Sequence, residues 1–201
     1  MTRIIGGSAG GRRLETPRGS LTRPTSDRVR EALFSAVEAW CGSLDGLRFL
    51  DLYAGSGAVG LEAWSRGAGV VTLVEQDRRT AALIARNATT VGFGRADVLA
   101  LSVGAVLRKP PAAPYDVVFM DPPYPMHDQE VVSVLASLVD GHWLVPGALV
   151  VVERASRGPA LAWPDGLVGE RSKKYGETML WYGHRASRNP GAETETAPEV
   201  D

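Results

Sequence analysis

The chain has 201 residues, 44% of them hydrophobic, and a formal net charge of −1, which suits one ordinary globular domain and excludes a disordered chain. Its single cysteine, Cys41, excludes an internal disulfide and a cysteine-built zinc site and points to a reducing compartment. No apolar run approaches the roughly 20 residues of a membrane span or the core of a signal peptide, so a soluble cytoplasmic protein is expected.

Charge is unevenly placed. Residues 1–30 hold seven arginines against Glu15 and Asp27, a local charge of +5. Residues 1–24 read as a basic extension with a little strand character at "RII" and "RRLET", enough for a small hairpin. Such an arm neutralises phosphates, and Arg12, Arg13, Arg18, Arg23 and Arg28 are its candidate nucleic-acid contacts. Deleting residues 1–20 is expected to leave the fold and ligand binding largely intact, because the sheet starts only near residue 47.

"TSDRVREALFSAVEAW" opens with Thr25, Ser26 and Asp27 as possible N-caps and spaces Val29, Leu33, Val37 and Trp40 at helical intervals. This apolar stripe is expected to pack on a sheet. From residue 47 short apolar runs alternate with amphipathic stretches, the signature of parallel strands and crossover helices. The strand candidates are 48–53, 70–75, 96–101, 116–121 and 148–153, and the helix candidates lie near 57–66, 78–91 and 128–139. Two last runs, near 166–174 and 177–183, meet at Gly176 as an antiparallel hairpin on the sheet edge. The expected fold is α/β and Rossmann-like: a seven-stranded, mostly parallel sheet with helices on both faces, spanning residues 25–185. Residues 186–201, with Arg188 against four carboxylates, read as an acidic disordered tail.

The first strand runs into "DLYAGSGAVG", where Gly55, Gly57 and Gly60 match G-x-G-x-x-G, and Glu75 ends the next strand. Such glycines permit a tight turn and close backbone approach, and the carboxylate suits two ribose hydroxyls. A dinucleotide would set its pyrophosphate on the helix N-terminus. Asp51, just ahead of the loop, would repel it but suits the ammonium of S-adenosylmethionine, and Asp97, placed at the third strand's tip, suits an adenine amino group. These features lean towards S-adenosylmethionine without deciding the matter.

"DPPY", at the end of the fourth strand, discriminates further. Asp121 offers a carboxylate oxygen, and Pro122 offers a carbonyl whose direction Pro122 and Pro123 hold through their fixed φ angles. Together they grip a planar NH₂ group and turn its lone pair towards an electrophile, while Tyr124 stacks on the attached ring. His127, His142 and His184 have no metal-ligand spacing, so no metal is expected. Lys173 and Lys174 suit either RNA contact or plain solvation.

At these residues the chain resembles the bacterial 16S ribosomal RNA (guanine(966)-N2)-methyltransferases over roughly residues 3–183. The resemblance is carried by "RIIGGSAGGRRLETP", "RPTSDRVREALFS", "FLDLYAGSGAVGLEAWSRGA", "VEQD", "DPPY" and "KKYGET". It implies a class I fold and a cytoplasmic enzyme that methylates the exocyclic N2 of one guanine in small-subunit rRNA within an assembling subunit; a monomer is favoured, with the oligomeric state left open. Asp121 to Tyr124 would then be the catalytic motif, and Asp51, Gly55, Gly57 and Glu75 the cofactor contacts. Open alternatives are a DNA adenine-N6 methyltransferase, which shares the motif, a nicotinamide-dependent reductase, and a non-catalytic RNA-binding assembly factor.

Overall fold

The computed structural model describes residues 2–17, 26–94, 96–123 and 125–187. Arg18, Arg23, Tyr124 and all but the start of the acidic tail lie outside the described residues. In chain order the elements are β1 (Thr2–Arg3), β2 (Arg13–Leu14), α1 (Asp27–Cys41), β3 (Arg48–Leu52), α2 (Ala58–Ser65), β4 (Val70–Val74) and α3 (Arg78–Val91). Then follow β5 (Asp97–Leu99), α4 (Val103–Leu107), β6 (Tyr115–Met120), α5 (Asp128–Asp140), β7 (Leu144–Ala155), β8 (Leu167–Tyr175) and β9 (Thr178–Arg185). The sequence pattern did not signal α4, a five-residue helix capped by Ser102, whose hydroxyl accepts from the Ala105 N–H.

Strands β3 to β9 form a seven-stranded sheet in the order β5-β4-β3-β6-β7-β9-β8. The pairs among β3 to β7 are parallel, and β9 inserts antiparallel between β7 and β8. This is the Rossmann-like class I architecture expected from the alternating pattern. The central strands are apolar on both faces because helices cover both. Phe49, Val71, Phe119 and Val151 face the side that carries α1, α2 and α3, while Leu50, Met120 and Val150 face α4 and α5.

Helix α1 starts at Ser26, whose hydroxyl accepts from the Val29 N–H. It buries Val29, Leu33, Phe34 and Val37. Trp40 departs from the expected stripe: it is 43% exposed and hangs at the helix end, its indole N–H donating to the Gly147 carbonyl. Phe34, stacked with Phe49, takes the packing role instead.

Residues 2–17 are no loose arm. β1 and β2 pair antiparallel, Thr2 opposite Leu14, and Ile4, Ala9 and Leu14 are buried against Ala58, Leu61, Ala88 and Val91 of α2 and α3. The buried Glu62 carboxylate accepts from the Ile5 and Gly6 N–H groups at 2.7 and 2.8 Å. The segment also wraps the end of α2, where Ser8 N–H donates to the Ser65 carbonyl and Ala9 N–H to its hydroxyl. Gly7, at φ +75°, runs so close that a Cβ would overlap the Ser65 carbonyl. The segment completes the core over two helices, a packing that speaks against the expected separability.

Candidate active site

The carboxyl ends of β3, β4 and β6 surround a cleft of about 290 Å³. It lies where the sheet reverses its winding, since β3 is followed outward by β4 on one side and by β6 on the other; ligands of open α/β sheets bind at this position. Asp51, Gly55, Glu75, Asp121 and Pro123 all line it. These five predicted site residues thus converge on one wall system although 70 residues separate Asp51 from Asp121.

Asp51 is buried at the end of β3, with one carboxylate oxygen accepting from the Gly60 N–H at 2.8 Å. Burial pushes its carboxyl up to about 7, the Gly60 hydrogen bond opposing and the Glu75 charge adding to the rise. Glu75 links the glycine loop to the turn after β4: one oxygen accepts from the Gly55 N–H at 3.1 Å and the other from the Asp77 N–H at 2.9 Å. Gly57 is the N-cap of α2 at φ 78°, the left-handed conformation that a tight glycine turn needs, and a Cβ there would stand 2.9 Å from Ile84 Cγ2, so its smallness serves packing as well.

Asp121 sits just past β6, its N–H towards the Leu52 carbonyl. Burial, then the charges of Glu153 and Asp51, raise its carboxyl well above the usual range, with Arg154 opposing. Pro122 is buried and Pro123 exposed. The Pro123 carbonyl accepts from the Met126 N–H at 2.9 Å, closing a tight turn after the double proline. Arg154, from the end of β7, ties that turn down by donating to the Met126 carbonyl and to Asp128.

Asp97 belongs elsewhere. It opens β5 rather than ending it, lies opposite Thr72 and accepts from the Thr72 hydroxyl at 3.1 Å. It lines a separate hollow with Trp64 and Phe93, at the amino end of the strands. The adenine role assigned to it is thereby corrected: a residue that begins a parallel strand lies a strand's length from a ligand bound at the carboxyl ends.

Several residues of the site carried no motif. Tyr53 lines the cleft at φ 64°, a left-handed conformation that costs a non-glycine residue of order 1–3 kcal/mol. Its hydroxyl lies 3.7 Å from Met126 Sδ, linking the loop after β3 to the loop after β6. Thr16 and Pro17 form part of the wall. They are held there by Asn87, whose buried amide exchanges hydrogen bonds with the Glu15 backbone and also donates to the Ser56 carbonyl. Glu153 and Arg154 end the apolar run of β7, the same signal that marked Asp51, Glu75 and Asp121, and the sequence pattern could have flagged them.

Of the basic candidates, Arg12, Arg13 and Arg28 are exposed. Arg12 donates to the Thr90 carbonyl at 3.1 Å, next to the end of α3. Arg30 is instead a buried structural residue that bonds Asp27, the Thr2 hydroxyl and the Arg3 carbonyl. Among the described residues no cluster of His, Cys, Asp or Glu is placed to hold a metal ion, and no helix is long and apolar enough to cross a membrane.

Known proteins share this arrangement. The chain is 40% identical over 156 residues to ribosomal RNA small subunit methyltransferase D of Escherichia coli K12, covering 75% of this chain and 73% of that protein. The Haemophilus influenzae protein of the same name is 36% identical over 162 residues, covering 79% and 81%. A solved structure of a hypothetical protein from Thermus thermophilus superposes with a TM-score of 0.73 at 33% identity, covering 90% of this chain and 98% of that one. The family model described as Conserved hypothetical protein 95 matches residues 2–184. With the glycine loop, the buried Asp51 and the Asp-Pro-Pro turn gathered on one cleft, the chain belongs to this family, and the two curated relatives above are named as rRNA methyltransferases.

Proposed function

We propose that the protein transfers a methyl group from S-adenosylmethionine to the exocyclic N2 of one guanine in 16S rRNA, within an assembling small subunit in the cytoplasm. The coarser statement, an S-adenosylmethionine-dependent rRNA methyltransferase, follows from the family and the fold. The convergence of Asp121 and its rigid Pro-Pro turn on the same cleft as Asp51 and Glu75 supports transfer to a base amine, and the similarity to ribosomal RNA small subunit methyltransferase D favours rRNA over DNA.

The residues fit the cofactor. Asp51 is a buried acceptor with only one oxygen bound to Gly60 N–H, which suits an ammonium, and Glu75 stands at the end of the second strand, where a ribose diol would lie. Bound there, S-adenosylmethionine supplies a sulfonium methyl whose S–C bond breaks as the N–C bond forms. The chain's own part is mostly positional. Asp121 accepts an N–H of the target amine and so directs its lone pair, while the Met126–Pro123 hydrogen bond and the Arg154 tie hold the turn that follows it. The methylated amine is acidic and loses its proton to Asp121 or to water. Tyr124 is assigned the stacking surface for the base.

Glu75→Ala removes a charge-assisted acceptor, so affinity for S-adenosylmethionine is expected to fall tenfold or more, about 1.5–3 kcal/mol. Calorimetry checks this, and unchanged affinity removes Glu75 from the cofactor site. Asp51 supplies a pH signature. An ordinary aspartate titrates near 3.9, whereas this one is held at about 7. Between those values the folded chain keeps a proton that the unfolded chain has lost. Stability from this group is therefore present at low pH and declines as pH rises to about 7. An ammonium on Asp51 favours the ionised form, so binding at pH 6 should release a proton. Titration calorimetry at pH 6 in buffers of different ionisation enthalpy is expected to show that release in the wild type and its loss in Asp51→Asn.

The function is tested by transfer of labelled methyl to naked rRNA, intact small subunits and DNA, followed by nucleoside analysis. N2-methylguanosine from rRNA is expected; N6-methyladenine in DNA would overturn the reading.

A further inference from the structure

The glycine loop and Glu75 occupy the β3–β4 half of the cleft, which leaves the Asp121 side for the target. Next to that side, on β7, stands a second carboxylate with no assigned role. Met120 of β6 pairs with Val152 of β7, so Asp121 and Glu153 each follow the last position at which these two strands pair. Neighbouring strands lie about 4.8 Å apart. Strand alternation sends both side chains to the face that holds Phe119 and Val151. Glu153 is 9% exposed, and the Thr178 hydroxyl lies 3.4 Å from its Oε1. Its charge reaches Asp121, where it is the largest contribution after burial. Two like-signed carboxylates this close work against each other in the free protein, so their pairing is informative about what they receive.

We infer that Glu153 is the second acceptor of the target pocket, taking the N1 proton of guanine while Asp121 takes an N2 proton. This rests on the guanine-N2 reading and deepens it. Guanine presents N1–H and N2–H₂ as adjacent donors. Adenine and cytosine present their amine beside a bare ring nitrogen, which is an acceptor. Ionised carboxylates only accept, so two of them side by side match guanine and set lone pair against lone pair with the other bases. A buried polar site rejects such a mismatch far more strongly than an apolar pocket does. Glu153 is then a specificity residue: it decides which base can place its amine on Asp121.

The test uses the full-length protein in two steps. The methylated nucleoside is first identified and mapped in unmodified small-subunit rRNA. That segment is then rebuilt by ligation with guanine or 2-aminopurine at the mapped position; 2-aminopurine keeps the N2 amine but has an acceptor at N1. Single-turnover transfer is measured for wild type, Glu153→Gln and Glu153→Asp, with cofactor affinity as the check on folding. The wild type is expected to favour guanine strongly. Glu153→Gln, whose amide donates to a bare N1, should lower the guanine to 2-aminopurine ratio at least tenfold, roughly one charge-assisted hydrogen bond. Glu153→Asp keeps the charge and should keep the preference for guanine. N2-methylguanosine with an unchanged ratio in Glu153→Gln overturns this inference alone. A mapped product other than N2-methylguanosine overturns the functional reading, and the inference with it.

Discussion

Asp121→Ala is expected to abolish methyl transfer, by at least a factor of about 10²–10⁴, while S-adenosylmethionine affinity stays within a few fold of wild type. The reason is positional: Asp121 lies past β6 on the side of the cleft away from Glu75, so its carboxylate serves the amine rather than the cofactor. Asp121→Asn keeps an acceptor oxygen and should retain more activity than alanine. The pH profile separates charge from shape. Burial, Glu153 and Asp51 hold the Asp121 carboxyl above the usual range, so wild-type transfer should fail on acidification at a higher pH than an ordinary carboxylate would give. Asparagine should flatten that acidic limb. Single-turnover transfer and equilibrium cofactor binding on the same preparations decide the matter. A large loss of cofactor affinity in Asp121→Ala would place this residue in the wrong half of the cleft.

Removing residues 2–17 is expected to cost the protein its fold. Ile4 and Leu14 are fully or almost fully buried, at 0% and 2% exposure. Losing a core side chain of that size costs about 2–5 kcal/mol. Glu62 would keep its ion pair with Arg66 but lose the Ile5 and Gly6 donors. Asn87 would lose both bonds to Glu15. Each buried polar group left unsatisfied costs about 1–3 kcal/mol. Together these losses are comparable with the roughly 5–15 kcal/mol that typically separates folded from unfolded domains. The wall formed by Thr16 and Pro17 would go too. Circular dichroism melting and cofactor titration of the truncated chain should show a melting point lowered by more than about 10 °C or no cooperative transition. A truncated chain that melts and binds cofactor as the wild type does would show that the hairpin is an accessory. RNA binding through Arg12, Arg13 and Arg28 is better tested by charge-neutral substitutions, which leave the Ile4 and Leu14 packing in place. For every phosphate that such a variant no longer neutralises, the salt dependence of binding should become shallower by about one slope unit.

The amino-acid sequence by itself determined the parallel sheet, most of its crossover helices and the three carboxylates, Asp51, Glu75 and Asp121, that line the cleft. Those signals are local. Apolar runs such as "DVVFMD" end in carboxylates because a strand leaves the core at its carboxyl end, and the glycines of "DLYAGSGAVG" mark a backbone turn that side chains would block. What the tertiary structure alone decided were relations between distant segments. Asp97 reads as a tip residue until β5 is seen to begin at it. Residues 2–17 look like a basic arm because Arg3, Arg12 and Arg13 stand in a glycine-rich stretch with no apolar period, yet Ile4, Ala9 and Leu14 find α2 and α3 and become core. Trp40 continues the helical period but ends at the rim of the sheet, where its indole bonds the Gly147 carbonyl and its ring stays exposed. Glu153 acquires meaning only from the Met120–Val152 register that brings it beside Asp121. Periodicity reports which face of an element is apolar, but the partner that the face meets is set by strand order and register, and these depend on contacts between residues far apart in the chain.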